Sequence, residues 1–259
     1  MEKLICFSLL CLFVLASPFP RDVEISQSNE SVGIRFIGSS TYDGIGYSVS
    51  IGGDVDGDGI DDMAIGSPAS SFQGIVEGGR VYVIYGKPNL SSTRSEWPTD
   101  SNIFTLISTN KQNGRIIEGS FGGQMIGTFV SIVMDLNDDE FDDVVIGAPE
   151  SDSKKGRVMI VFGMKRDEAI TPLRVDDDNS SLINEIIGEN SNDRFGNSAC
   201  GGDFNGDGIG DLMIGALNFS NKINLKGGRV YVLFGKTGGW KRRMNANATE
   251  EFVNGEGND

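Results

Sequence analysis

One pattern recurs three times along this chain and constrains its fold more than any other feature. The segments IGYSVSIGGDVDGDGIDDMAIGSP from Ile45, IGTFVSIVMDLNDDEFDDVVIGAP from Ile126 and FGNSACGGDFNGDGIGDLMIGAL from Phe195 align with one another. Each is followed by a second shared block: GGRVYVIYGK from Gly78, KGRVMIVFGMK from Lys155 and GGRVYVLFGK from Gly227. The leading aspartates stand at 54, 135 and 203, so the spacings are 81 and 68 residues. Self-similarity of this kind marks stacked supersecondary units, each unable to bury its apolar surface alone. Three runs of strand length fall in each unit, in the first at residues 46–51, 63–66 and 80–85. The third run, Val81-Tyr82-Val83-Ile84-Tyr85, does not alternate with polar residues. That predicts a strand covered on both faces, as between blades stacked face to face. A fourth, more polar strand is expected between repeats. The third repeat is one residue shorter between Gly196 and Asp203. Side chains alternate from residue to residue along a strand, so a bulge or kink must absorb the slip.

Each repeat carries a nine-residue window of clustered acids. The first runs Asp54-Val55-Asp56-Gly57-Asp58-Gly59-Ile60-Asp61-Asp62. Carboxylates at positions 1, 3 and 5 converge when the chain wraps tightly, and a glycine at position 6 permits the bend. Position 7 offers a backbone carbonyl, and the aspartate at position 9 closes the cage. This all-oxygen, multi-carboxylate set suits calcium and is similar to an EF-hand loop, but strands flank it where an EF-hand has helices. The predicted ligands are Asp54, Asp56, Asp58, the Ile60 carbonyl and Asp62; Asp135, Asn137, Asp139, the Phe141 carbonyl and Asp143; and Asp203, Asn205, Asp207, the Ile209 carbonyl and Asp211. In the second window Glu140 replaces the bend glycine, so that site is expected to be the weakest or most distorted. The windows hold no Lys or Arg, and the chain's net charge of −15 is concentrated in them. Solvated acidic faces would be spread along the chain. Up to three Ca²⁺ ions are expected, in a structural role: each cage is filled by its own loop and no nucleophile or general base accompanies it.

The segments resemble FG-GAP repeats, the blades of the integrin α-subunit β-propeller. The first pair of that motif is Phe195-Gly196, with Ile45-Gly46 and Ile126-Gly127 as variants; the triplet is Gly147-Ala148-Pro149, with Gly66-Ser67-Pro68 and Gly215-Ala216-Leu217 as variants. The implied fold is all-β, a partial β-propeller of three blades, each a four-stranded antiparallel sheet. Repeats are expected at about 34–90, 115–165 and 184–236, within a segment spanning 17–259. A propeller closes with about four to eight blades. Residues 252–259 parallel Ile186–Asp193, so a fourth repeat is expected to begin there, truncated before ring closure. The resemblance implies a cell-adhesion or ligand-binding module with an extracellular protein ligand and an integrin β-like subunit as partners. The competing reading is a non-catalytic accessory domain of a secreted hydrolase such as a glycosylphosphatidylinositol-specific phospholipase D-like enzyme. A stand-alone secreted matrix protein is the third.

Residues outside the windows narrow the class. Histidine is absent, which excludes Ser-His-Asp and Cys-His mechanisms and His-ligated zinc. The segment is therefore expected not to be an enzyme, and its charge not to draw nucleic acid. Lys3 followed by the 13-residue apolar run Leu4 to Ala16 predicts a signal peptide over 1–16, cleaved after Ala16. The mature segment is expected to be secreted or on the outer face of the plasma membrane, without inserting into the bilayer. Cys6 and Cys11 leave with that peptide, so Cys200 is left without an intrachain partner and is expected to be a small buried hydrophobe. Sequons at Asn29, Asn89, Asn179, Asn218 and Asn247 mark candidate surface loops. Arg80, Arg157 and Arg229 open the same strand in each repeat and are expected to pair with nearby acids. Trp97 and Trp240 are expected in exposed loops, and Asp176-Asp177-Asp178 in a solvated turn.

Overall fold

The computed structural model describes residues 34–88, 101–168, 171–176, 181–220 and 226–247. The expected signal peptide, Trp97, the sequons at Asn29, Asn89 and Asn179, Asp177, Asp178 and the expected start of a fourth repeat lie outside the described residues. After β1 (Phe36–Ile37) the chain forms a meander of β2 (Ser48–Ile51), β3 (Met63–Ser67) and β4 (Arg80–Ile84). Next come β5 (Ser101–Asn102), helix α1 (Ile103–Thr109) and β6 (Gly114–Glu118). The second meander is β7 (Phe129–Val133), β8 (Asp143–Ala148) and β9 (Arg157–Val161), followed by β10 (Leu173–Arg174) and β11 (Ile183–Ile187). The third is β12 (Phe195–Gly202), β13 (Asp211–Ala216) and β14 (Arg229–Leu233), and β15 (Arg243–Asn245) ends the series.

Besides a two-stranded parallel sheet of β1 and β5, the described residues form three larger sheets, as an all-β chain of propeller blades requires, and none closes into a barrel. In the first, β2, β3, β4 and β6 are successively antiparallel, and β10 adds in parallel outside β6. The second repeats this with β7, β8, β9 and β11, and β15 adds in parallel outside β11. The third contains β12, β13 and β14 among the described residues. The fourth strand of each of the first two blades thus comes from residues at the head of the following sequence repeat. These are the more polar strands expected, β6 reading GRIIE and β11 INEII, yet β6 is buried along its whole length. The one-residue slip of the third repeat is absorbed where anticipated, by a register shift between Phe195 and Ser198.

Alternation along the third strand of each blade sets the packing. Val81, Val83 and Tyr85 join Ile126, Val130, Val144 and Ile146 of the second blade in one core, while Tyr82 and Ile84 face the opposite way onto Ile103 and Ile107 of α1. In β9, Met159 and Val161 point back into that first interface, and Val158 and Ile160, with Phe162 just beyond the strand, point forward onto Phe195, Leu212 and Ile214 of the third blade. Each such burial contributes about 1.5–3 kcal/mol. This explains a strand with no polar alternation. On the third blade Val230 is 61% exposed and Phe234 42%, although their counterparts Val81 and Tyr85 are fully buried. The difference is the following blade, which covers the first two sheets. Cys200 shares this uncovered side and is exposed, contrary to the expectation of a buried residue. Trp240 also departs from expectation: it packs into the second interface at 9% exposure, and its carbonyl accepts from Asn184 Nδ2.

The repeated arginines pair as expected. Arg80 meets Glu118, its guanidinium lying between the rings of Phe72 and Phe104; Arg157 meets Asp152 and Glu185; Arg229 meets Glu189. Asn247 is exposed and Asn218 half-buried, and Asp176 is exposed in its turn.

Candidate metal centre

The three acidic windows form the turns between β2 and β3, β7 and β8, and β12 and β13. All three share one set of closing hydrogen bonds. The position-1 carboxylate accepts from the amides of positions 4 and 6: Asp54 from Gly57 and Gly59, Asp135 from Asp138 and Glu140, Asp203 from Gly206 and Gly208, all at 2.6–3.0 Å. The position-5 carboxylate accepts from the amide of position 7, at Asp58, Asp139 and Asp207. The ninth residue does something the sequence did not suggest. Asp62 accepts from the amides of Val55 and Gly86, Asp143 from Leu136 and Gly163, and Asp211 from Phe204 and Gly235. It ties its loop to the end of the blade's third strand.

The loops also hold one another. Asp54 donates its amide to Asp142 Oδ2 and its carbonyl accepts from the Asp142 amide; the Asp135 carbonyl accepts from the Gly210 amide. Position 8 of each loop therefore grips position 1 of the loop before it. A strap following the next blade's third strand lies across each of the first two loops: the Met164 amide donates to the Val55 carbonyl, and the Lys236 amide to the Leu136 carbonyl.

The oxygen set fits a hard divalent cation. Asp54, Asp56 and Asp58 place carboxylate oxygens within 4.8 Å of one another. In the second loop Asn137 Oδ1 is buried without a hydrogen-bond partner, an acceptor in need of a cation or donor. Burial pushes the Asp62 carboxyl up to about 7, against the Gly86 amide that pulls it down, and burial raises Asp143 to about 8. Nearby carboxylates of the same loop push in the same direction. A bound cation removes that repulsion. Position 9 keeps capacity for it, because a carboxylate has about four acceptor sites and these serve two amides at Asp62 and Asp143 and three at Asp211. The Ile60, Phe141 and Ile209 carbonyls occupy the seventh positions. Among the described residues the convergent acidic group is Asp54, Asp56 and Asp58, and Asp62 lies outside it.

Glu140 takes φ of +74°, against +83° at Gly59 and +90° at Gly208. The second loop keeps the shared closing hydrogen bonds but lacks one: the position-5 amide reaches the position-3 side-chain oxygen in the first and third loops, Asp58 to Asp56 and Asp207 to Asn205, whereas Asn137 Oδ1 accepts none. Asp138, at φ of +63°, adds a second non-glycine residue in the left-handed region beside Glu140. Glu140→Gly is expected to raise the melting temperature, by about 1 kcal/mol of stability, in thermal melts of the chain. A lower melting temperature would mean that the Glu140 side chain contributes more than its backbone strain costs.

The family model described as FG-GAP repeat matches residues 45–84 and 195–233, the hairpin, loop and third strand of the first and third blades. The chain carries FG-GAP repeats. Its relatives include the phosphatidylinositol-glycan-specific phospholipase D of Bos taurus, 28% identical over 223 residues, 84% of this chain and 24% of that protein. Integrin alpha-5 of Xenopus laevis is 30% identical over 200 residues, 74% of this chain and 16% of that protein. Integrin alpha-11 of Homo sapiens is 31% identical over 166 residues, 63% and 12%. The chain thus spans about a quarter or less of the length of these relatives. Among the described residues no helix is long and apolar enough to cross a membrane.

The two glycines that name the FG-GAP motif meet across blades. A Cβ on Gly66 would lie 2.0 Å from the Gly127 carbonyl oxygen, and one on Gly147 2.2 Å from that of Gly196. Ser48 Oγ donates to the same Gly127 carbonyl at 2.8 Å. Sequence reasoning missed this contact, and it missed Arg166, which reaches from the strap after β9 into the first loop. Arg166 lies 110 and 108 residues from the acids it meets, and no local pattern joins positions so distant.

Proposed function

We propose that this chain is a calcium-binding propeller segment serving as a non-catalytic recognition scaffold, of the kind an integrin α-like adhesion protein presents at the cell surface. The observation that carries it is the threefold recurrence of one hydrogen-bonded acidic loop, each linked to the next. Calcium held by Asp54, Asp56, Asp58, the Ile60 carbonyl and Asp62, and by their counterparts in the other loops, supplies fixed charge and stiffness to a row of inter-blade joints. A recognition surface built from loops needs that stiffness. Its partners on this reading are an extracellular protein ligand and an integrin β-like subunit. One observation favours a second reading. The match to a phosphatidylinositol-glycan-specific phospholipase D covers more of this chain than the integrin matches do. In that setting the same segment is the non-catalytic companion of a hydrolase.

Calorimetric titration of the purified chain with calcium tests the shared claim. Up to three binding steps are expected, and absence of binding heat at millimolar calcium would sink it. The non-catalytic claim is tested with a phosphatidylinositol-glycan-anchored reporter, from which the chain is expected to release nothing above buffer. Release that rises with protein concentration would overturn it.

A further inference from the structure

We propose that Arg166 is a built-in counter-ion of the first loop, and that it competes with a divalent cation for the carboxylate oxygens of Asp56 and Asp58. The inference rests on the calcium reading above and goes beyond it by separating one loop from the other two. Arg166 Nε donates to Asp56 Oδ2 at 2.5 Å and Nη2 donates to Asp58 Oδ2 at 2.6 Å. These are the two oxygens that the loop's own amides leave open: Asp56 Oδ1 accepts from the Asp58 amide and Asp58 Oδ1 from the Ile60 amide. The guanidinium lies 5.1 Å from the centre of the Tyr85 ring, and the Asp56 side chain beneath it is fully buried. A planar fork seated on two carboxylates and an aromatic face is strong and specific for arginine.

The first loop is also the one whose third position is an aspartate. In the other two loops that position is an asparagine, whose amide donates to the free oxygen of position 5: Asn137 Nδ2 to Asp139 Oδ2 at 2.9 Å, and Asn205 Nδ2 to Asp207 Oδ2 at 2.8 Å. The extra acid of the first loop thus coincides with a donor from another blade. A cation on Asp56 Oδ2 and Asp58 Oδ2 would sit against a guanidinium of like charge, and so must displace it. Its apparent affinity falls by the fraction of molecules in which the clasp is closed. The strap itself need not leave, because the Met164 amide holds the Val55 carbonyl and Gln112 Nε2 holds Asp167 Oδ1 on either side of Arg166. The first joint between blades is therefore closed at low calcium by an arginine and at high calcium by the metal.

Calcium titrations of the full chain, as wild type, Arg166→Gln and Arg166→Lys, test this, with Asp58→Asn used to assign the step that belongs to the first loop. Arg166→Gln is expected to move that step to about tenfold lower calcium, to leave the other steps in place and to lower the melting temperature in chelator. Arg166→Lys, which keeps the charge but cannot span both carboxylates, is expected to move it about threefold. It carries the test alone if the glutamine variant does not fold without metal. A first-loop step that stays in place or moves to higher calcium overturns the competition while leaving calcium binding intact. Absence of binding heat in wild type and variants alike overturns the calcium reading, and this inference with it.

Discussion

In chelator the chain is expected to melt about 20 °C below its melting temperature in 1 mM calcium. A ligand that binds only the folded state stabilises it by about 2.7 kcal/mol when present at 100 times its dissociation constant. Oxygen-lined loops with several carboxylates commonly bind calcium at about 10⁻⁵ M. Three such loops at 1 mM then contribute about 8 kcal/mol, and each kcal/mol moves the midpoint of a domain this size by about 2–4 °C. The effect is concentrated at the joints between blades, because each loop holds its predecessor through Asp142 or Gly210. The proton works against the metal. Asp62 and Asp143 have folded-state values of about 7 and about 8, above the ordinary carboxylate value near 3.8. The metal-free folded state therefore binds more protons than the unfolded chain between about pH 4 and pH 8, so its stability falls as pH rises through that window. Calcium needs the deprotonated carboxylates, so its gain is expected to be larger at pH 8 than at pH 5. Calorimetric melts at both pH values, with and without calcium, decide the matter. Superimposable melts at pH 8 would exclude the loops as stabilising metal sites.

The strands and turns were legible in the sequence because their signals are local. An apolar run without alternation gave β4, β9 and β14; a one-residue deficit gave the bulge at Phe195–Ser198. The acidic windows announced themselves by spacing. What stayed hidden depends on which surfaces meet. Cys200 reads like a core residue and is exposed because it lies on the uncovered face of the third blade, beside Phe204 and Met213. Trp240 reads like a loop aromatic and is buried because the strap that carries it crosses the second interface. The ninth aspartate reads as a ligand alone, yet its two oxygens also hold amides from the loop and from the third strand. Arg166 carries no motif at all. The same limit applies to the phase of the repeat. Shared residues begin after β6 and β11, so the sequence places each of these strands at the head of a repeat, while hydrogen bonding places it at the end of the preceding blade.

The glycine of the motif triplet separates these two kinds of information. Gly66, Gly147 and Gly215 occupy one position in three repeats, and a reading of conformation alone treats them alike. Their surroundings differ. A Cβ on Gly147 would lie 2.2 Å from the Gly196 carbonyl oxygen of the next blade, a backbone atom that cannot turn aside; a Cβ on Gly215 would meet only the Ser198 hydroxyl, at 2.7 Å, and nothing else closer than 3.7 Å. Gly147→Ala must push the second and third blades apart across an interface that holds Phe162, Phe195 and Leu212. Overpacking of that kind costs about 3 kcal/mol. Gly215→Ala needs one side-chain rotation and is expected to cost under about 1 kcal/mol. Chemical denaturation of both variants, in calcium so that the loops are equally held, measures the difference. Equal losses would mean that the triplet glycine is required by its own strand. A loss confined to Gly147 would mean that it is required by its neighbour, so that two of the residues defining the repeat record the approach of one blade to the next.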